Sequence, residues 1–402
     1  MTAPNGPILF HSSAGSDTQS SGLGPSTAVY GAGASTTAAS AVVTGIDTTG
    51  VSVGDLLWVQ SSSDRQFSII ASVDSSTQVT CDDVFANTES SRTWAVGGKR
   101  ATFDGAVQLF RDWHGGWIIE TETDQTVSVD LRAAAVGGDV DNYAVIRCNN
   151  KKITKAFAVF WTPTLPFREY TIIQDAILTT SIASNGVLIG TTGLAGDSPL
   201  RHLINVHIDP TIDGGTGTYG VYVGQGMTAY RCSFKNSTYG VYATFPCTVN
   251  SCIFESNATG LWGSHQLSPQ NSIFINNTSH GVEHAGATRY FTATGNISYG
   301  NSGDGLRIAG RLGTFGMFTS NIAVNNGGYG INITNTNYSL KTTLNCATYN
   351  NTSGGINGSL QQINNVALTA DPFVDAANGD FNLNAINGGG GTLRSKNYTL
   401  GG

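Results

Sequence analysis

Seven side chains with acid, base or guanidinium chemistry crowd into residues 280–311: His280, Glu283, His284, Arg289, Asp304, Arg307 and Arg311. A carboxylate beside an imidazole can move a proton, and a guanidinium beside both can hold an anionic group. Within the set, Glu283, Asp304 and Arg307 are the candidates for catalysis. The competing reading of Glu283 and Arg307 is an ion pair between stacked strands, contributing about 0.2–1 kcal/mol. That simpler reading is preferred, so no residue is assigned as catalytic. Asp209 and Asp213 are a second pair, four apart with Pro210 between them, and read as turn residues. With no third carboxylate near them and no Cys/His cluster at metal spacing, neither a metal nor another cofactor is expected.

Aromatic residues supply the other candidates. Tyr222, Tyr242 and Trp262 each follow a Gly-apolar pair. In an alternating strand they point opposite to Val221, Val241 and Leu261, as an outward ladder for a ligand or for a partner subunit. Phe234, Phe254 and Phe274 form a second column, read as core. Cys232 and Cys252 open the same segments, and a disulfide between them is conceivable. The six cysteines lack any CxxC spacing and are expected as buried free thiols. Asp104, Arg111, Asp112, Trp113, His114 and Trp117 make a polar-aromatic segment, read as a cap on the first repeat. His202 and His265 have no evident partner in the sequence.

What positions these residues is a repeat. Gly220, Gly240, Gly260, Gly281, Gly305, Gly330 and Gly355 each precede an apolar residue at intervals of 20 to 25. A second segment, usually ending in Asn, keeps step with them, as in Cys252-Ile253-Phe254-Glu255-Ser256-Asn257 and Asn321-Ile322-Ala323-Val324-Asn325-Asn326. Such a period with two or three short strands per turn is one coil of a parallel β-helix, each strand pairing with its equivalent above and below. Asn suits the corners because it tolerates left-handed backbone and can bond in a ladder. The Gly is expected to serve the same corner geometry. Val221, Val241, Leu261, Val282, Leu306 and Ile331 should then form one buried column.

Composition agrees. Only 12% of the 402 residues are charged and Gly numbers 51, a mixture that disfavours helices. The predicted fold is all-β, a right-handed parallel β-helix preceded by a small β domain and a flexible arm. Residues 1–39, poor in large apolar side chains, are expected as an extended attachment arm. The small β domain spans 40–104, the β-helix 105–370, and a closing segment with a tail 371–402.

The repeat resembles that of pectate-lyase-like proteins and phage tailspikes across roughly 105–370. Such lyases hold calcium through clustered Asp, and tailspike glycosidases use paired carboxylates about 5–10 Å apart; this chain offers little of either. Residues 92–102, Arg92-Thr93-Trp94-Ala95-Val96-Gly97-Gly98-Lys99-Arg100-Ala101-Thr102, are similar to the N-terminal part of β-helix proteins of tailed bacteriophages. Residues 370–383 resemble a closing segment of such repeats, without the usual Ser-Pro-Ala continuation.

These resemblances imply a virion structural protein, a tail fibre or tailspike that is expected to form a homotrimer and to contact other virion proteins. A capsid decoration protein is the alternative within that class, and a polysaccharide lyase or glycoside hydrolase the alternative outside it. Host surface polysaccharide is a candidate partner. A net charge of -7 without a basic run argues against nucleic acid. The absence of about 18 consecutive apolar residues argues against membrane insertion. A start without basic and apolar signal regions points to synthesis in a host cytoplasm.

Overall fold

The computed structural model describes residues 8–11, 28–61, 65–98, 118–127, 144–155, 171–189, 201–224, 226–286, 290–310, 315–334, 340–358 and 361–396. The expected cap (Asp104, Arg111, Asp112, Trp113, His114, Trp117) lies outside them, as do Arg289 and Arg311. The chain divides into two compact units, residues 1–152 and 153–402.

The first unit contains a closed antiparallel barrel. Around it run Val29–Thr36, Val42–Thr44, Gln78–Cys81, Arg65–Ser75, Leu56–Gln60 and Glu89–Val96. Its interior holds Ala34, Val43, Leu57, Val59, Ile70, Val79, Trp94 and Val96. The barrel begins at Val29, so its first strand takes up residues that composition alone assigns to the arm of 1–39. Gly31 has little room for a side chain because Trp94 packs against it: a Cβ there would lie 3.2 Å from the Trp94 Nε1. Within the supposed arm, Ile8–His11 also pairs in parallel register with Ile118–Thr121.

The second unit is a parallel β-helix, as the repeat predicts. Each complete coil gives two short strands to one sheet, such as Cys247–Asn250 and Ile253–Glu255, and one strand to another, such as Thr259–Gly263. Two corners per coil turn through left-handed residues. The first is Arg231, Ser251, Asn271, Gly295, Ser320, Asn345 and Asn364, and the second is Asn236, Ser256, Asn276, Gly300, Asn325 and Asn350. A third connection lengthens along the chain: Thr259–Gly263 leads to Leu267–Gln270, whereas Val282–His284 leads to Phe291–Thr294. Most of the growth of the repeat from 20 to 25 residues falls there.

The residue after each corner points inward and bonds to the coil behind it. At the second corner the Oδ1 atoms of Asn277, Asn301, Asn326 and Asn351 accept from the backbone N–H of the Asn one coil earlier, at 3.0–3.2 Å. The same oxygens accept from that Asn's Nδ2 at 2.8–3.2 Å. Each Nδ2 also donates to a strand carbonyl, as Asn277 does to Phe254 O at 3.2 Å. A second ladder follows the first corner, with Ser272 N donating to Asn296 Oδ1 and Asn296 N to Asn321 Oδ1, both at 3.0 Å.

Between the ladders, Phe234, Phe254 and Phe274 stack at 4.7 Å between ring centroids. Val221, Val241, Leu261, Val282, Leu306 and Ile331 are buried in one column. The glycine column is not left-handed, contrary to expectation; it marks close approach. A Cβ on Gly240 would sit 2.6 Å from Gly260 O and 3.0 Å from the Phe254 ring, so only hydrogen leaves room for the next coil.

Beyond Val366–Ala367 the chain forms a hairpin, Phe373–Asp375 with Asp380–Leu383, and a short helix, Gly390–Ser395. Phe373, Ala376, Leu383 and Leu393 pack with Ile297, Ile322 and Val324 on the outer flank of the coils. This closing segment therefore covers a side of the β-helix. The reason lies in the strands: outer positions are Ser233 and Lys235 on an early coil but Ile297 and Tyr299 later, and the later ones need a cover.

His284 is a polar exception in the interior. It is fully buried, its Nε2 lies 2.8 Å from His265 O, and its Nδ1 has no partner among the described residues. Burial lowers its pKa from 6.5 to about 4.

Two predictions follow from this interior. Replacing Asn301 with Leu leaves the N–H and Nδ2 of Asn277 and the carbonyl of Phe274 without their partner, and should destabilise the fold by about 2–5 kcal/mol in chemical denaturation. An unchanged midpoint would refute the role given to the ladder. The second concerns pH. The unfolded chain binds the His284 proton at a higher pH than the folded chain, so stability is fully present above 6.5. It declines as pH falls from 6.5 toward 4, by about 3 kcal/mol in total. Denaturation from pH 7 to 4 should show this slope, and His284→Leu should flatten it.

Candidate functional site

The outer face of the single-strand sheet carries one continuous row. Strand register sets Tyr222 beside Tyr242, Tyr242 beside Trp262, Trp262 beside Glu283, Glu283 beside Arg307, Arg307 beside Asn332 and Asn332 beside Asn357. The aromatic candidates and the charged candidates are thus two stretches of one strip.

At the aromatic end the rings stack on one another. Tyr222 and Tyr242 lie 5.5 Å apart at 20°, and Tyr242 and Trp262 4.2 Å apart at 4°. Tyr219 and Tyr239, absent from the sequence candidates, add a second column at 5.8 Å and 25°. They meet the first column edge-on: Tyr219 lies 5.3 Å from Tyr222 and Tyr239 5.1 Å from Tyr242. Strict alternation hides them, because Gly220 and Val221 both face inward and so both flanking tyrosines face out. The signal was the repeated Tyr-Gly-Val-Tyr at 219–222 and 239–242. Burial, followed by the neighbouring tyrosines, raises the pKa of Tyr219 and of Tyr242, which keeps both hydroxyls protonated and able to donate.

The polar end is held together from behind. Asp304 Oδ1 accepts from Tyr329 N and its Oδ2 from Asn332 Nδ2, both at 2.8 Å. Asn332 Oδ1 in turn accepts from Asn357 Nδ2 at 3.0 Å. Arg307 Nε lies 3.8 Å from Asp304 Oδ2 and 3.9 Å from Glu283 Oε1. It is buried and makes no hydrogen bond among the described residues. His280 receives the Asp304 N–H at Nδ1, 2.9 Å away, while Arg307 Nη1 lies 2.7 Å from Nε2. Burial lowers the His280 pKa, the Glu283 carboxylate opposes that shift and Arg307 adds to it. A neutral imidazole has one acceptor nitrogen and can satisfy only one of these two donors.

Not every candidate joins the strip. His284 points into the core, on the opposite face of the strand from Glu283. Asp209 accepts from Thr211 N, Thr211 Oγ1 and Asn236 Nδ2 at 2.7–2.9 Å, and Asp213 bonds to Thr154. Both carboxylates are thereby taken up locally. Among the described residues no group of three or more His, Cys, Asp or Glu could hold a metal ion. All six cysteines are buried and free, and no helix among the described residues is long and apolar enough to cross a membrane.

Residues 202–368 match the family model described as the right handed beta helix region. No curated protein matches the chain. Among solved structures, the chain is similar to pectate lyase Pel9A at 12% identity and a TM-score of 0.42, covering 68% of this chain and 72% of that one. It is similar to the tailspike protein gp49 from Pseudomonas phage LKA1 at 12% identity and a TM-score of 0.22, covering 86% and 61%. The catalytic unit of a thermostable GH87 alpha-1,3-glucanase from Streptomyces thermodiastaticus matches at 10% identity and a TM-score of 0.34, covering 87% and 88%. The family match and the in-register parallel strands agree on one conclusion: the repeat region is a right-handed parallel β-helix.

Proposed function

We propose that this chain is a non-enzymatic structural protein of a virion, of the tail fibre or tailspike type, attached through its N-terminal region and presenting its β-helix to the host surface. The observation that carries this reading is the division of labour in the outer strip. Asp304 gives both carboxylate oxygens to the next coil, so it braces the strip and is poorly placed to exchange protons. The rings at the other end of the strip stay half-exposed. Their faces are largely occupied by one another, so the stack offers ring edges, hydroxyls and the faces at its two ends to a ligand. Such a surface suits recognition of host polysaccharide or packing against another copy. Homotrimer formation, virion partners and synthesis in a host cytoplasm belong to the same proposal. Residues 92–102 support the phage assignment.

One observation favours an enzyme instead. Glu283 retains a partly exposed carboxylate next to His280 and Arg307, with its contact to Arg307 as long as 3.9 Å. A polysaccharide lyase or glycoside hydrolase would use it for proton transfer.

Three measurements decide among these readings. Trp262→Ala should weaken polysaccharide binding or self-association by about 1–3 kcal/mol while the circular dichroism spectrum stays unchanged. Glu283→Gln should leave binding as it is. Release of reducing ends or unsaturated sugars by the wild type, lost in Glu283→Gln, would overturn the non-enzymatic reading. In purified virions the protein should be present at low copy number; a high copy number would move it to capsid decoration, and its absence would remove it from the particle altogether.

A further inference from the structure

The first-corner ladder changes chemistry along the helix. Its later members include Asn296, Asn321 and Asn365, whose amide oxygens are strong acceptors, with Cys346 between the last two, but its first two are both cysteines, Cys232 and Cys252. There Cys232 N donates to Cys252 Sγ at 3.4 Å, whereas Cys252 N donates to Ser272 Oγ at 3.1 Å. Sulfur is a weaker acceptor than a hydroxyl or an amide oxygen, so the bond between these two coils is a weak rung, as is the later one from Asn321 to Cys346 Sγ at 3.9 Å.

The geometry points to Cys232 and Cys252 as a dithiol that closes to a disulfide between coils when the protein meets a peroxide. Ser233 pairs with Ile253, so the cysteines just before them stand one strand spacing apart, about 4.8 Å between Cα atoms. Disulfides span about 4.4–6.8 Å at Cα. Burial raises the Cys232 thiol. Burial also pushes Cys252 up, but the hydrogen bonds it receives from the Cys232 thiol and backbone draw it below the ordinary thiol range. Cys252, whose sulfur receives the Cys232 N–H at 3.4 Å, is assigned as the attacking sulfur.

In the first step Cys252 Sγ bonds to one peroxide oxygen, the O–O bond breaks, and the departing hydroxide takes up the thiol proton as water. Cys232 Sγ then attacks the sulfur of the resulting sulfenic acid. The S–O bond breaks, and the hydroxyl leaves as water with the Cys232 proton. Two thiols and one peroxide give one disulfide and two waters, with two electrons passing from sulfur to oxygen. Both sulfurs are buried, so the reaction is slow and selects a small oxidant.

The test uses the full chain treated with hydrogen peroxide, followed by intact mass and non-reducing peptide mapping. The expected result is a loss of two hydrogens, a Cys232–Cys252 cross-linked peptide, reversal by dithiothreitol and several-fold slower unfolding of the oxidised form. Cys247→Ser should keep the cross-link. Cys252→Ser, which installs the hydroxyl that Ser272 already carries on the next coil, should fold and lose it. An unchanged mass, sulfinic acid at Cys252 without cross-linking, or a disulfide to Cys247 would each overturn the assignment.

Discussion

A corner in a β-helix takes backbone N–H groups out of strand pairing while burying them, and this chain answers that constraint with side-chain amides from the coil ahead. Everything else in the second unit depends on it. The amide oxygen of Asn301 holds the backbone of Asn277, and the amide nitrogen of Asn301 reaches back to Phe274 O. Each rung thus ties a corner to a strand as well as a coil to a coil. Because the rungs lie in register, the strands do too, and the outward residues fall one above another. The glycine column follows from the same demand, since a Cβ on Gly240 would also press on Asn257 Nδ2 at 3.1 Å.

In-register stacking is why much of this was legible in the sequence. The apolar column from Val221 to Ile331, the phenylalanine stack and the row from Tyr222 to Arg307 each recur at the repeat spacing, so position alone reveals neighbours. What was missed breaks that simple correspondence. Tyr219 and Tyr239 escaped because two consecutive residues face inward before the strand resumes its alternation. His284 adjoins Glu283 in the chain but lies on the opposite face of the strand, so sequence proximity alone does not separate the core residue from the strip. The first-corner ladder was hidden by its mixed membership of Cys, Ser and Asn, which share an inward lone pair but little else. Val29–Thr36 looked too poor in apolar surface to fold, yet it pairs into the barrel, where Trp94 leaves Gly31 little room for a side chain.

The outer strip inherits its order from the interior without sharing its chemistry. Along one row the side chains pass from aromatic to charged to amide while the backbone beneath them keeps the same pairing. Asp304 shows how closely the two can join: it stands buried three residues before Arg307 and gives both carboxylate oxygens to bonds that brace the strip. The closing segment makes the opposite case, since it covers a flank whose outer residues turned apolar after the early coils.

The uneven third connection has its own consequence. Corners that carry ladders admit no extra residue, because an insertion would shift every rung after it. The described residues between His284 and Phe291 carry no such rung, and the stretch already holds more residues than its counterpart between Gly263 and Leu267. Most length variation thereby falls on one edge of the stack, where closing a longer loop costs only about 0.6 kcal/mol per doubling. That edge is a natural place for lineages to diverge and for engineered epitopes to be grafted.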